Sequence, residues 1–172
     1  MAEKLFMVNN SSQPTTAAPV SQPTGTAIRT MLQLEAGANN RFTVVEWGIS
    51  FDGSAAATPI KVELFATTVA ATMSTAFVAA DLMPYNDANV EASNLTLGGT
   101  THSGFATAAV TEGTVANYRA FDTQLIAPTS QYWKQFPLGR EPVVAVGTGK
   151  FLRVRVTAGA SVNAYIYVVW AE

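Results

Sequence analysis

One histidine, twelve carboxylates and no cysteine are what this 172-residue chain offers for chemistry. His102 sits in Leu97-Gly-Gly-Thr-Thr-His-Ser-Gly104, a loop of small residues. A lone imidazole lacks the second nitrogen or sulfur ligand that most transition-metal sites use. Ser103 supplies a neighbouring hydroxyl, but nucleophile and base are normally assembled across a fold rather than side by side in the chain. His102 therefore reads as a loop histidine. Val146-Gly-Thr-Gly-Lys150 has the look of the end of a phosphate-binding loop. That loop needs a glycine five residues before its second one, and Ser or Thr after the lysine. Val144 and Phe151 hold those places, and a strand pattern follows where a helix should begin. The segment reads as a β-turn.

Glu35, Glu46, Asp52, Glu63, Asp81, Asp87, Glu91, Glu112, Asp122 and Glu141 are dispersed along the chain. Glycoside hydrolysis needs two carboxyls across a cleft, about 5–10 Å apart. No spacing nominates such a pair, so a small β-sandwich hydrolase stays open only to the extent that two of them meet in space. Asp87-Ala-Asn-Val-Glu91 places oxygen ligands at alternate positions, as calcium loops do, without the glycine and distal glutamate of an EF-hand. It reads as a solvated loop. No catalytic residue, metal ligand or cofactor site is assigned, and the chain is expected not to be an enzyme. The absence of cysteine excludes disulfides, thiolate catalysis and Cys-based zinc sites.

The aromatic residues carry more information. Tyr132, Trp133 and Phe136 lie close together, and Tyr165, Tyr167 and Trp170 share a final apolar run. Tyr165 and Tyr167 alternate with Ile166, Val168 and Trp170, so both faces of that strand are apolar. Such a strand is normally buried on both faces. One face meets the opposite sheet. The other is covered by the chain's own 70–92 segment, by another subunit, or by a stacked sugar. Tyr and Trp are enriched at subunit interfaces, which marks Tyr132, Trp133, Phe136, Tyr165 and Tyr167 as oligomer-interface candidates.

Two-residue alternation runs through most of the chain, the period a strand requires. Ile28, Thr30, Leu32 and Leu34 alternate with Arg29, Met31 and Gln33. Val45, Trp47, Ile49 and Phe51 oppose Glu46, Gly48, Ser50 and Asp52. Ile60, Val62 and Leu64 oppose Lys61 and Glu63. Residues 118–126 and 131–138 follow, then 142–147, 150–156 and 162–171, where Leu152, Val154 and Val156 oppose Phe151, Arg153 and Arg155. Residues 70–92 alternate little and read as a long loop crossing one end, with room for a helical turn at 74–82. Eight to ten strands with turns between them predict an all-β, antiparallel two-sheet β-sandwich of jelly-roll type over residues 26–172. No fixed-period repeat points to a propeller or solenoid.

Residues 9–25 are rich in Ser, Thr, Gln and Ala and carry Pro14, Pro19 and Pro23. Proline favours extended geometry, so residues 1–25 read as an extended N-terminal arm. Leu5, Phe6, Met7 and Val8 form an apolar tip on this polar tether and are the partner-binding candidates. The tip is shorter than the roughly 7–15 apolar residues of a signal sequence. No run reaches membrane-spanning length. Charged residues make up 13% of the chain, about half the usual share. That low charge points to extensive protein contact. With ten Lys and Arg against twelve Asp and Glu, direct nucleic-acid binding is not expected.

The proline-rich arm, the cysteine-free sandwich, the low surface charge and the final Ala164-Tyr-Ile-Tyr-Val-Val-Trp170 strand together resemble the jelly-roll head decoration (cement) proteins of tailed bacteriophages. The resemblance implies a homotrimer on the capsid surface of the virion, made in the host cytoplasm, with the arm gripping the major capsid protein. It brings no catalytic residue. On that reading, loss of residues 1–24 leaves a folded oligomer that no longer binds heads. The alternative from the residues themselves is a carbohydrate- or receptor-binding jelly-roll module of a phage tail, with the aromatics as the platform.

Overall fold

Alternating apolar residues with β-branched and aromatic side chains form the long strands, and short polar turns separate them. The computed structural model describes residues 4–13, 16–54, 58–88 and 90–172. In chain order the strands are β1 (Leu5–Asn9), β2 (Gln22–Pro23), β3 (Arg29–Glu35), β4 (Phe42–Phe51), β5 (Ile60–Thr67), β6 (Thr75–Ala76), β7 (Met83–Pro84), β8 (Gly104–Phe105), β9 (Arg119–Ile126), β10 (Gln131–Gln135), β11 (Val143–Val144), β12 (Phe151–Thr157) and β13 (Asn163–Ala171). A 3-10 turn, Ala79–Asp81, precedes β7. The chain is an all-β sandwich of two antiparallel sheets. One runs β10-β4-β13-β1-β7, with β11 also on β4 and β2 also on β13. The other runs β6-β8-β3-β12-β5-β9. No helix of the described residues is long and apolar enough to cross a membrane.

The inner faces form one cluster. Phe6, Val8, Val44, Trp47, Ile49, Ile166, Val168 and Trp170 come from the first sheet. Leu32, Leu34, Val62, Leu64, Leu152, Val154 and Val156 come from the second. Phe6 stacks on Trp170 with ring centroids 5.7 Å apart. A β-bulge interrupts the β4–β13 ladder, where Val169 pairs with Glu46 and Trp170 with Val44. The extra residue, Val45, turns outward, and Val44 takes its place in the core. The expected run of Val45 with Trp47, Ile49 and Phe51 is corrected there, because a bulge shifts the alternation by one residue.

Both open sides of the sandwich are closed. On one side a tight turn joins β9 to β10, with Ser130 N–H donating to the Ala127 carbonyl at 2.9 Å. Asp122 of β9 ties the sheets together there. Its Oδ2 accepts from Tyr132 Oη at 2.8 Å and from Trp47 Nε1 at 3.3 Å, and its Oδ1 accepts from Gln124 Nε2 at 2.8 Å. On the other side, residues 75–84 pass from β6 to β7 and so from one sheet's edge to the other's. Asp81 fastens this passage by accepting from Gln13 N–H at 2.8 Å and Val78 N–H at 2.9 Å.

Part of the outer face of the second sheet, around Arg153, is also covered. Arg153 is wholly buried, pairs with Glu112, and donates to Thr30 Oγ1 and to the carbonyls of Val69 and Glu112. Burial pulls its pKa below the ordinary arginine value. Arg153 and Arg155 lie over the Phe65 ring at 5.4 and 4.7 Å. Val69 and Ala71 thus lie against this sheet, where Gln33 also donates to the Ala71 carbonyl. The 70–92 segment was expected to cross one end, or to cover the tyrosines. Ala71 lies against the other sheet through Gln33, residues 75–84 close one side of the sandwich, and Tyr85 comes near enough to Tyr167 to help raise its pKa.

The largest correction concerns the N-terminus. Residues 5–9 are a strand inside the first sheet, paired with β13 from Leu5↔Ala171 to Asn9↔Tyr167, with β7 on the other side. Phe6 and Val8 are buried in the core. Asn10 then extends the ladder with its side chain: Nδ2 donates to the Ala164 carbonyl at 2.9 Å and Oδ1 accepts from Ile166 N–H at 2.8 Å. The chain leaves the sheet after Ser11 and returns as β2, which pairs with the start of β13. The supposed tether is an excursion between two pieces of one edge. Pro14 and Thr15 within it lie outside the described residues. Residues 5–10 and 22–23 therefore belong to the sheet rather than to a separate arm, and Leu5, Phe6, Met7 and Val8 are not a free tip. Phe6 and Val8 are two apart, which places both on the face turned toward the core.

Phe6→Ala should lower the free energy of unfolding by about 3–5 kcal/mol, the usual loss for emptying a buried aromatic site, measured by urea denaturation. Deletion of residues 1–9 should lower the melting temperature sharply by unpairing β13. Full stability after that deletion would restore the arm.

Candidate functional site

β13, β4 and β10 lie side by side in the first sheet, and their outward positions are in register. Tyr167 pairs with Gly48, which pairs with Trp133. Tyr165 pairs with Ser50, which pairs with Gln131. This leaves a groove of about 250 Å³ lined by Ile49, Ser50, Gln131, Tyr132, Trp133, Tyr165 and Tyr167. Trp133 is 63% exposed on its rim, whereas the two tyrosines are half-buried.

Gly48 makes the groove possible. A Cβ there would lie 2.3 Å from Cε1 of Tyr167. The Tyr167 ring therefore lies across bare backbone, which only glycine permits. Its hydroxyl donates to Glu46 Oε1 at 2.5 Å. Burial, followed by the Glu46 carboxylate, raises the Tyr167 pKa well above that of a free phenol. Burial likewise raises Tyr165.

Of the interface candidates, the structure brings Tyr132, Trp133, Tyr165 and Tyr167 to one groove, with the side chains of Trp133, Tyr165 and Tyr167 on its outward face. Tyr132 and Phe136 are corrected. Alternation along β10 turns Tyr132 inward, where its ring lies 5.5 Å from Trp47 and its hydroxyl reaches Asp122. Phe136 follows β10 and belongs to the core cluster. Their nearness to Trp133 in sequence says nothing about their face. Gly48, Ser50, Glu46 and Gln131 belong to the site and were not selected from sequence. Gly48 was the available signal, since a lone glycine within a strong strand pattern marks close approach of another group.

The other candidates are bound up in the fold. His102 Nδ1 lies 2.5 Å from Glu35 Oε2, and Glu35 Oε1 accepts from Gly149 N–H at 2.6 Å. Glu35 is buried. It thus clips the histidine loop to the 146–150 turn, and a backbone donor that a phosphate would need is already used. Within residues 87–91, Asn89 lies outside the described residues. Glu91 pairs with Lys4, and that hydrogen bond and charge hold its carboxyl below the usual range. Among the described residues no three His, Cys, Asp or Glu side chains are grouped to hold a metal ion. What the groove offers is aromatic surface with amide and hydroxyl groups beside it. No protein-family model matches the chain, and comparison with curated proteins and with solved structures finds no match either.

Gly48→Ala should push Tyr167 off its seat and away from Glu46. In a spectroscopic phenol titration, Tyr167 should then ionise at lower pH than in the wild type. Tyr132 gives a second test. Burial, followed by Asp122, pushes its pKa up from 10.0 to about 12. Its stabilisation is therefore fully present below the free phenol's pKa and lost as pH rises through about 12. The gap in melting temperature between wild type and Tyr132→Phe should narrow across that window.

Proposed function

We propose that this chain is a non-catalytic virion structural protein, a head decoration protein that assembles as a trimer and stabilises the outside of a tailed-phage capsid. The observation that carries the proposal is the aromatic groove of Trp133, Tyr165 and Tyr167 over Gly48. Tyr and Trp concentrate at the buried centres of interfaces. Trp133 stands on β10 at the sheet's margin, while the tyrosines lie two strands further in. A Trp133 that reaches the tyrosines of the next subunit makes a head-to-tail contact, which closes as a ring. A trimer that touches several capsid subunits gains because each further contact is intramolecular.

Strand order supports the same reading. Numbered one to eight along the chain, the eight longest strands are β1, β3, β4, β5, β9, β10, β12 and β13. In those numbers the first sheet reads 6-3-8-1 and the second 2-7-4-5. We read this as a jelly roll, eight strands in two sheets. Of the features behind the resemblance to decoration proteins, the cysteine-free sandwich, the low charge and the final strand remain, while the free arm does not.

A second reading uses the same groove. The exposed Trp133 face beside Gln131 and Ser50 suits a stacked sugar, which would make the chain a carbohydrate-binding module. Light scattering separates the two. The assembly reading expects a trimer that Trp133→Ser with Tyr165→Ser converts to folded monomers. A monomeric wild type whose binding on a glycan array is lost in Trp133→Ala would overturn assembly in favour of the sugar.

A further inference from the structure

The outward row of β4 sets a charge at each end of the aromatic groove. That row runs Glu46, Gly48 and Ser50, and Asp52 follows just past the strand. Gly48 pairs with Tyr167 and Ser50 with Tyr165, so both lie under the groove and a carboxylate stands beyond each. At the rise of an extended strand the two acids are about 20 Å apart along the backbone. Glu46 Oε1 accepts from Tyr167 Oη at 2.5 Å. Asp52 accepts from Asn163 N–H at 2.9 Å and from Asn163 Nδ2 at 3.0 Å. These partners are uncharged, and neither acid has an ion pair among the described residues.

No cation lines the groove. Lys134 neighbours Trp133 on β10, but alternation turns it the other way, where it pairs with Asp122. On the Asp52 side, Arg29 donates to the carbonyl of Pro23, the partner of Asn163. Between the two acids stand Trp133, Tyr165 and Tyr167. An aromatic face attracts a cation through its ring quadrupole. Tyr167 gives its hydroxyl proton to a carboxylate, which enriches the ring in electrons and strengthens that attraction. Aromatic surface between two acids suits a ligand with apolar length and a positive charge at each end. A neutral sugar would use the rings and leave both carboxylates without a counter-charge.

We propose that the groove binds a linear polyamine, with its methylene chain against Trp133, Tyr165 and Tyr167 and its ammonium groups at Glu46 and Asp52. Methylene stems pack on apolar surface while their charged heads stay in water. Each ammonium also gains a charge-assisted hydrogen bond. A single lysine or arginine side chain brings one charge and meets one acid, so length separates a polyamine from it. The inference concerns the groove used by the assembly reading but needs no second subunit.

Calorimetric titration of the full chain with putrescine, spermidine and spermine is the test. Affinity should rise along that series and fall as salt rises. Tetraethylene glycol, long but uncharged, should not bind. Glu46→Gln and Asp52→Asn should each weaken spermine by about three-fold, and both amides can still accept from Tyr167 and Asn163. Together they should erase the preference for spermine over putrescine. Trp133→Ala should weaken all three amines. Glu91→Gln, an acid outside the groove, should change nothing. Should the double variant fail to fold, Ser50→Lys puts a cation on the groove floor and should abolish spermine binding. Equal binding of tetraethylene glycol, or undiminished spermine binding by the charge variants, would overturn the proposal. So would an equal loss in Glu91→Gln, the mark of general attraction to an acidic chain. Light scattering of the same samples reads assembly separately. Spermine held by a monomer would leave this inference standing and remove the trimer, and a trimer that binds no amine would do the reverse.

Discussion

The hydrogen bonds of β13 have to be met on both sides, because the strand sends Ile166, Val168 and Trp170 into the core and two tyrosines to the opposite face. A buried backbone amide or carbonyl without a partner costs about as much as a lost hydrogen bond. β4 supplies one side. The other side is longer than any single neighbour, and β1, the Asn10 side chain and β2 fill it in turn. β7 then covers β1. Much of the architecture follows from this one requirement. The chain near Phe6 has to be a strand, the proline-rich segment has to loop away and return, and the passage carrying Asp81 has to bring β7 to the edge.

The two outer faces are treated differently. Arg153 and its partners roof the second sheet from within the chain, and a buried cation of that kind requires every donor to be matched. The first sheet keeps part of its outer surface open. There Gly48 lets Tyr167 lie flat, and Trp133 projects at the margin. A surface low in charge and rich in small residues is consistent with this division. Charge gathers where it is paired, as around Glu63 and Arg155.

Long strands were legible because alternation over six or more residues has one explanation. Leu152, Val154 and Val156, or Ile60, Val62 and Leu64, place themselves. β1 was not legible. Four apolar residues in a row show no alternation, and a proline-rich neighbour suggested a tether. Its partner β13 is distant in sequence, and local pattern carries no information about such pairing. Val45 was misplaced because a bulge has no local signature beyond one extra residue. In the groove, Tyr165 and Tyr167 were legible from their strand. Tyr132 and Phe136 were grouped with Trp133 by proximity alone, although parity along β10 separates Tyr132 from it.

The pairing of β1 with β13 also sets an order of events during synthesis. Leu5 emerges from the ribosome long before its partner Ala171. Until β13 arrives, Phe6 and Val8 have no core to enter, and the sheet lacks its middle strand. Native contacts between residues so far apart in sequence are the kind that slow folding and lengthen the time apolar surface is exposed. The nascent chain must therefore carry β1 unsheltered until β13 has been made, a stretch in which chaperone access matters more than it does for the finished sandwich.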